Sequence, residues 1–202
     1  MGDPMTEMDP PIVIRLATPD DAAAFAAIYA PVVEQTAISF DTKAPSAGDM
    51  AGRITEILGL YPWLAAADGE DRAIGYAYAG PHRSRLAYRW SVDLTVYLDV
   101  SARGAGIGRR LYAALIAILR AQGFHAAYGG ITLPNPGSVA LHESVGFDCI
   151  GVYRRVGFKL GAWRDVGWWG LSLSAGDEAP AEPTPFAEFR KNGDLAAILR
   201  NA

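Results

Sequence analysis

Trp90-Ser91-Val92-Asp93-Leu94-Thr95-Val96-Tyr97-Leu98-Asp99 leads, after a short spacer, into Arg103-Gly104-Ala105-Gly106-Ile107-Gly108 and then into an apolar series at Ile107, Leu111, Leu115, Ile118 and Leu119. In the first stretch Val92, Leu94, Val96 and Leu98 alternate with Asp93, Thr95 and Tyr97, the period of a strand with one apolar face. The later series recurs at helical spacing, and Gly123 stands where a left-handed cap would end the helix. Strand, glycine turn and amphipathic helix in that order form the nucleus of an α/β fold. Asp93 is out of place by propensity, since Asp is disfavoured inside strands.

The turn is built to approach an anion. Successive glycines let the main chain come close to a ligand. The first N–H groups of the following helix lack intrahelical partners and lie at the positive dipole end, which suits a diphosphate. A P-loop is excluded because no Gly-Lys-Ser/Thr follows. The dinucleotide pattern G-x-G-x-x-G is broken by Arg109, and no acid stands about 20 residues on. The pattern Arg/Gln-x-x-Gly-x-Gly/Ala, which cradles the diphosphate of acetyl-CoA, fits; a plain glycine-rich turn is the competing reading.

On either side of this nucleus, strands and helices alternate. Strands are predicted at Pro11–Leu16, Trp63–Ala67, Ala73–Ala79, His125–Thr132, Phe147–Val156 and Val166–Leu173, with a hairpin turn at Asp68-Gly69-Glu70-Asp71. Helices are predicted after Thr18-Pro19-Asp20-Asp21, over Ser46–Leu58 and over Ser138–Val145. Pro31 is expected to stop or kink the first of them. The class is α/β or α+β with a mixed sheet. Residues 1–11 read as a flexible leader, 12–174 as one domain, 175–185 as a linker and 186–202 as a helical extension able to pack on the domain or on a partner.

Composition narrows the function classes. The chain has 202 residues, half of them apolar, with 18 Lys plus Arg against 22 Asp plus Glu, a formal charge of −4. A weakly acidic surface does not attract phosphate backbones, so nucleic acid is not an expected partner. The lone Cys149 allows no internal disulfide, is expected in the core, and suits a cytoplasmic protein. His82, His125 and His142 are too scattered for a metal motif, so no metal is expected. Leu111–Leu119 is too short to span a membrane, and the acidic start is not a secretory signal.

With these segments in hand, the chain resembles the GNAT acetyltransferases, and within them the phosphinothricin and methionine-sulfoximine N-acetyltransferases. The carrying segments between Ile12 and Leu173 are Tyr61-Pro62-Trp63-Leu64, Tyr76-Ala77-Tyr78-Ala79-Gly80-Pro81, Thr95-Val96-Tyr97-Leu98, the glycine turn, Leu133-Pro134-Asn135, His142-Glu143-Ser144-Val145-Gly146-Phe147, Gly157-Phe158-Lys159 and Trp163-Arg164-Asp165-Val166-Gly167. The resemblance implies a central mixed sheet, flanked by helices and splayed open after the Trp90–Asp99 strand. It implies that the pantetheine arm of acetyl-CoA pairs with Val96, Tyr97 and Leu98. The diphosphate would lie on Arg103, Gly104, Ala105, Gly106, Ile107, Gly108 and Arg109, with Asn135 and Ser138 on the far side of the arm. It also implies a homodimer.

The resemblance further implies roles for two side chains. Asp93 stands where the family carries a Glu general base; being one methylene shorter, it is expected to work through a bridging water. Pairing of Asp93 with Arg85 or Arg89 for structure is the alternative. His142 stands where many members place a Tyr that protonates the departing thiolate, and imidazole can do this near neutral pH. Phe40 would wall the acceptor pocket. Arg83, Ser84 and Arg85, with Asp93, Leu94 and Thr95, would meet a small amino-acid-like acceptor, since arginine forks suit a carboxylate or phosphinate. Trp168 and Trp169 are expected in the core or at a dimer surface. The implied reaction is direct acetyl transfer to an amine; another small amine, a peptide N-terminus, or a non-catalytic acetyl-CoA-binding regulator are the competing readings.

Overall fold

The computed structural model describes residues 12–176, 179–192 and 194–201. Seven strands, β1 (Val13–Leu16), β2 (Trp63–Ala67), β3 (Ala73–Pro81), β4 (Ser91–Leu98), β5 (Ala126–Leu133), β6 (Asp148–Lys159) and β7 (Ala162–Ser172), form one sheet in the order β1-β2-β3-β4-β5-β7-β6. All neighbours are antiparallel except β4 and β5, which are parallel. That one pairing joins only Ser91 to Ala126, Val92 to Ala127 and Asp93 to Tyr128. Beyond Asp93 the two strands part, whereas β3 stays paired to β4 as far as Leu98. The remainder of the β4 edge therefore faces a gap in the middle of the sheet.

Helices cover both faces. On one lie α1 (Ala22–Gln35) and α2 (Ala47–Ile57), which bury Phe25, Val32, Val33, Met50 and Ile54 with Trp63 and Tyr76. On the other lie α3 (Ile107–Gln122) and α4 (Pro136–Ser144). The α3 stripe is sealed in: Ile107, Leu111, Leu115, Ile118 and Leu119 are all buried. Each such side chain contributes about 1.5–3 kcal/mol relative to exposure. This apolar anchoring sets the helix, and hence the glycine turn before it, against the sheet.

Local chemistry sets the ends of these elements. Ser46 Oγ accepts the Asp49 N–H at 3.1 Å and starts α2. Asn135 Oδ1 accepts the Ser138 N–H at 3.2 Å and starts α4, two residues before the predicted onset. Gly123 ends α3 with φ 91°, a conformation costly for any residue with a Cβ. Pro31 neither stops nor divides α1, which runs on to Gln35 because Val32 and Val33 beyond it are held in the core. The last two strands are longer than their sequence pattern predicts and form one hairpin, turning through Leu160 (φ 50°) and Gly161 (φ 72°) as a two-residue primed turn requires.

Two corrections follow from the outer parts of the chain. Cys149 is exposed, not in the core, because β6 is the edge strand of the sheet and bares much of its surface. Residues 179–185 form no helix or strand yet are docked: Gln122 Nε2 donates to the Thr184 carbonyl at 2.8 Å, Trp90 Nε1 to Ala181 at 2.8 Å, and Arg89 forks onto Glu182. They lead to α5 (Phe186–Phe189) and α6 (Asp194–Arg200), whose Phe186, Phe189 and Leu195 enter the α3 core. The expected leader, residues 1–11, lies outside the described residues.

Candidate functional site

The sheet gap opens into a groove of about 390 Å³ between β4, the glycine turn and α4. Of the residues expected to hold the cofactor, Val96, Tyr97, Leu98, Arg103, Gly104, Gly106, Ile107, Gly108, Arg109, Asn135 and Ser138 all line it, and Ala105 is exposed beside it. Val32, Ile38, Gly137 and Leu141 complete the walls without having been singled out from sequence.

The turn needs its glycines for separate reasons. Gly104 (φ 82°) and Gly106 (φ 78°) are left-handed, and a Cβ on either would meet nothing within 4 Å, so the space over them is open. Gly108 is buried; a Cβ there would come within 3.1 Å of Leu141. The helix can thus begin against α4 while its first amides face the groove. Arg103 and Arg109 are exposed at either end of the turn and add positive charge. Amides and guanidinium groups around an open cradle fit a diphosphate. The unpaired β4 edge fits an extended arm that hydrogen-bonds as an added strand would.

Deeper in the gap the groove narrows to about 80 Å³ between Leu94, Thr95, Val96, Tyr112, Thr132 and His142. His142 is buried, on α4. Its Nδ1 donates to the Ser138 carbonyl at 2.8 Å, which leaves Nε2 as acceptor for the Tyr112 hydroxyl at 3.2 Å. Burial pulls its pKa below the usual histidine value, against the raising effect of the Ser138 bond, so the neutral ring is favoured. Gly129 of β5 exists for this ring, since a Cβ there would run into the imidazole.

Asp93 lies at the apex of the gap, on the last residue pair that β4 shares with β5. The alternation of β4 turns it to the opposite sheet face from Val92 and Leu94, which pack with α3. Its partner is His82, with Oδ1 and Nδ1 2.6 Å apart, and not Arg85 or Arg89. Burial pushes the Asp93 carboxyl above the ordinary carboxylate range, opposed by the His82 bond and the Arg83 charge. The hairpin register brings His82 to the acid: Gly80 opposes Asp93 and Pro81 opposes Val92, so residue 82 falls diagonally beside 93.

The expected acceptor residues are brought together only in part. Leu94 and Thr95 line the narrow cavity. Arg83, Ser84 and Arg85 are exposed on the loop after β3, with Arg83 NH1 donating to the His82 carbonyl at 2.7 Å and its guanidinium 5.2 Å from the Trp168 ring. Phe40 rests on the bare backbone of Gly157 on β6. Its loop is tied down by Lys159, whose Nζ donates to the Ser39 carbonyl at 2.6 Å, and by the Tyr29 hydroxyl against Ser39 at 2.5 Å. Trp169 is buried, whereas Trp168 covers Gly130 at the cavity and borders His82. Among the described residues no cluster of His, Cys, Asp or Glu could hold a metal ion, and no helix is long and apolar enough to cross a membrane.

Comparison with known proteins matches this arrangement. The acetyltransferase (GNAT) domain model covers residues 14–168. The phosphinothricin N-acetyltransferase of Streptomyces viridochromogenes is 38% identical over 87% of this chain and 93% of its own length. The L-methionine sulfoximine/L-methionine sulfone acetyltransferase of Pseudomonas aeruginosa is 36% identical over 83% and 98%. Among solved structures, a phosphinothricin acetyltransferase from Sinorhizobium meliloti in complex with acetyl-CoA superposes with a TM-score of 0.81 at 35% identity, over 85% of this chain and 94% of that one.

Proposed function

From the premise that the chain belongs to the GNAT acetyltransferase family, we propose that it moves the acetyl group of acetyl-CoA directly to the amino group of a small amino-acid-like acceptor such as phosphinothricin, methionine sulfoximine or methionine sulfone. One observation carries the reading: β4 and β5 part after Asp93, and the β4 edge beyond it lines one groove with the glycine cradle, Asn135 and Ser138, with Asp93 at the point of parting.

Acetyl-CoA, the co-substrate, supplies an activated thioester. The chain supplies the rest. Gly104 to Arg109 hold the diphosphate, and Val96, Tyr97 and Leu98 align the arm with Asn135 and Ser138 opposite. Leu94 and Thr95 border the acceptor, with Phe40, Arg83, Ser84 and Arg85 at the mouth. Asp93 takes a proton from the acceptor's ammonium, directly or through one water, so that the nitrogen can attack. His142 serves the departing sulfur: as the C–S bond breaks its electron pair stays on sulfur, which takes a proton from the Tyr112 hydroxyl; the neutral ring, with Nδ1 fixed on Ser138, holds that hydroxyl through Nε2, and solvent returns its proton.

The experiment is an acetyl-transfer assay over a panel of amino acids and amines, reading free CoA. Turnover of the sulfoximine, sulfone or phosphinothricin supports the reading. Turnover only of amines without an acid group removes Arg83 and Arg85 from recognition, and turnover of none leaves an acetyl-CoA-binding regulator. The proposal extends to a catalytic domain of 12–174 on which the helical extension packs, and to a cytoplasmic setting, where an exposed thiol stays reduced. It also extends to a homodimer through the β6–β7 hairpin, which bares Ile150, Tyr153, Phe158 and Trp163. A monomer at micromolar concentration in sedimentation would remove that last part.

A further inference from the structure

His82 has no part in the reaction as described so far, yet it is the group most firmly built against the base. Its ring stacks on Tyr128 at 4.3 Å and meets Trp168 and Tyr88 edge-on, each at 5.9 Å. Its side chain is only 12% exposed. An ionised carboxylate can only accept, so the 2.6 Å contact places a hydrogen on Nδ1, donated to Asp93 Oδ1. Asp93 Oδ2 makes no hydrogen bond to any described residue. One oxygen is clamped and the other is left to act.

We propose that His82 is the positioning residue of the base: its Nδ1–H clamps one oxygen of Asp93 so that Oδ2 is held toward the acceptor's ammonium. The inference rests on the acetyl-transfer reading. In the step, an ammonium N–H bond breaks, its electron pair stays on nitrogen for attack, and an O–H bond forms at Oδ2. His82 keeps its hydrogen throughout, and Oδ2 later releases the proton to solvent. The clamp answers the missing methylene, because a short carboxylate cannot reach by flexing and must be aimed. The groups facing the imidazole are Asp93 from β4, Tyr128 from β5, Tyr88 from the turn before β4 and the adjoining Arg83; Trp168 of β7 adds an uncharged wall.

The test compares His82→Phe, which keeps an aromatic ring but no donor, with His82→Asn, whose amide N–H lies as many bonds from Cα as Nδ1. In His82→Phe, kcat is expected to fall about 10- to 100-fold with little change in KM for acetyl-CoA, the scale of a misaimed catalytic group. The acid limb of its pH profile should move to higher pH, because a carboxylate that loses a donor holds its proton longer. His82→Asn should recover most of the rate and return the limb. Should the Phe variant not fold, His82→Gln, with the amide displaced by one methylene, replaces it. An unchanged kcat and pH profile in the Phe or Gln variant, or an Asn variant as impaired as they are, overturns the inference. An unmutated protein that acetylates no amine in the panel overturns the functional reading, and this inference with it.

Discussion

The two ends of the gap are made of different material. At the α3 end the walls are main chain: left-handed glycines, the first amides of a helix and an unpaired strand edge. At the β5 end side chains enter, His142 with Tyr112 in the wall, while Asp93 with His82 stands on the opposite face of the sheet where β4 and β5 part. A backbone cradle suits a diphosphate through its amides and depends on conformation. A side-chain pair suits the handling of protons and depends on neighbours brought from distant parts of the chain. The first kind of site tolerates changes of side chain but not of backbone freedom; the second reverses that order.

The hardest blow to this contrast should come from Asp93→Asn, which leaves shape nearly intact and removes the carboxylate proposed as base. The rate at neutral pH is expected to fall about 10²- to 10⁴-fold, with acetyl-CoA affinity in calorimetry unchanged. The loss should shrink at high pH, where the acceptor amine sheds its proton unaided. In the unmutated protein, kcat should drop on the acid side as Asp93 protonates. Because burial raises its pKa, that drop should begin above the range of an exposed aspartate. Equal activity of the Asn variant across pH would remove Asp93 from the mechanism.

The converse change is Gly106→Val. It forces a β-branched side chain into a left-handed conformation and fills the open space over the turn. Losing charge-assisted bonds worth about 1.5–3 kcal/mol should weaken acetyl-CoA binding roughly tenfold or more, read by calorimetry. An unchanged dissociation constant would place the diphosphate elsewhere. A smaller effect is expected of Gly129→Ala, whose methyl would collide with the His142 ring. Overpacking of this kind costs about 1–3 kcal/mol. Thermal unfolding should register it, and the displaced ring should lower kcat while acetyl-CoA binding persists.

Much of the scaffold was legible because it is local. The alternation of Val92 to Leu98, the stripe from Ile107 to Leu119 and the cap at Gly123 each depend on residues close in sequence, and each stands in the structure as read. The hairpin from β6 to β7 was only half legible, since Gly157 and Gly161 interrupt the sequence pattern and the register itself shifts between Cys149 and Gly151 and between Tyr153 and Gly157. Cys149 was misplaced for the opposite reason: an apolar residue in an apolar strand carries no mark of whether that strand is an edge. The pairing of His82 with Asp93 was missed because His82 stands in a conspicuous cluster with Arg83, Arg85 and Arg89 that reads as an acceptor site, and Tyr112 was missed because it stands on an apolar helix.

By itself, then, the order of residues determined the elements, the anion cradle and the identity of the acid in the central strand, since propensity, periodicity and positive-φ glycines act over a few neighbouring residues. Only the tertiary structure decided where β4 and β5 part, that Asp93 answers to His82 and not to an arginine, and that His142 is buried and neutral against Tyr112. Those outcomes depend on burial and on contacts between residues far apart in the chain, for which no local pattern exists.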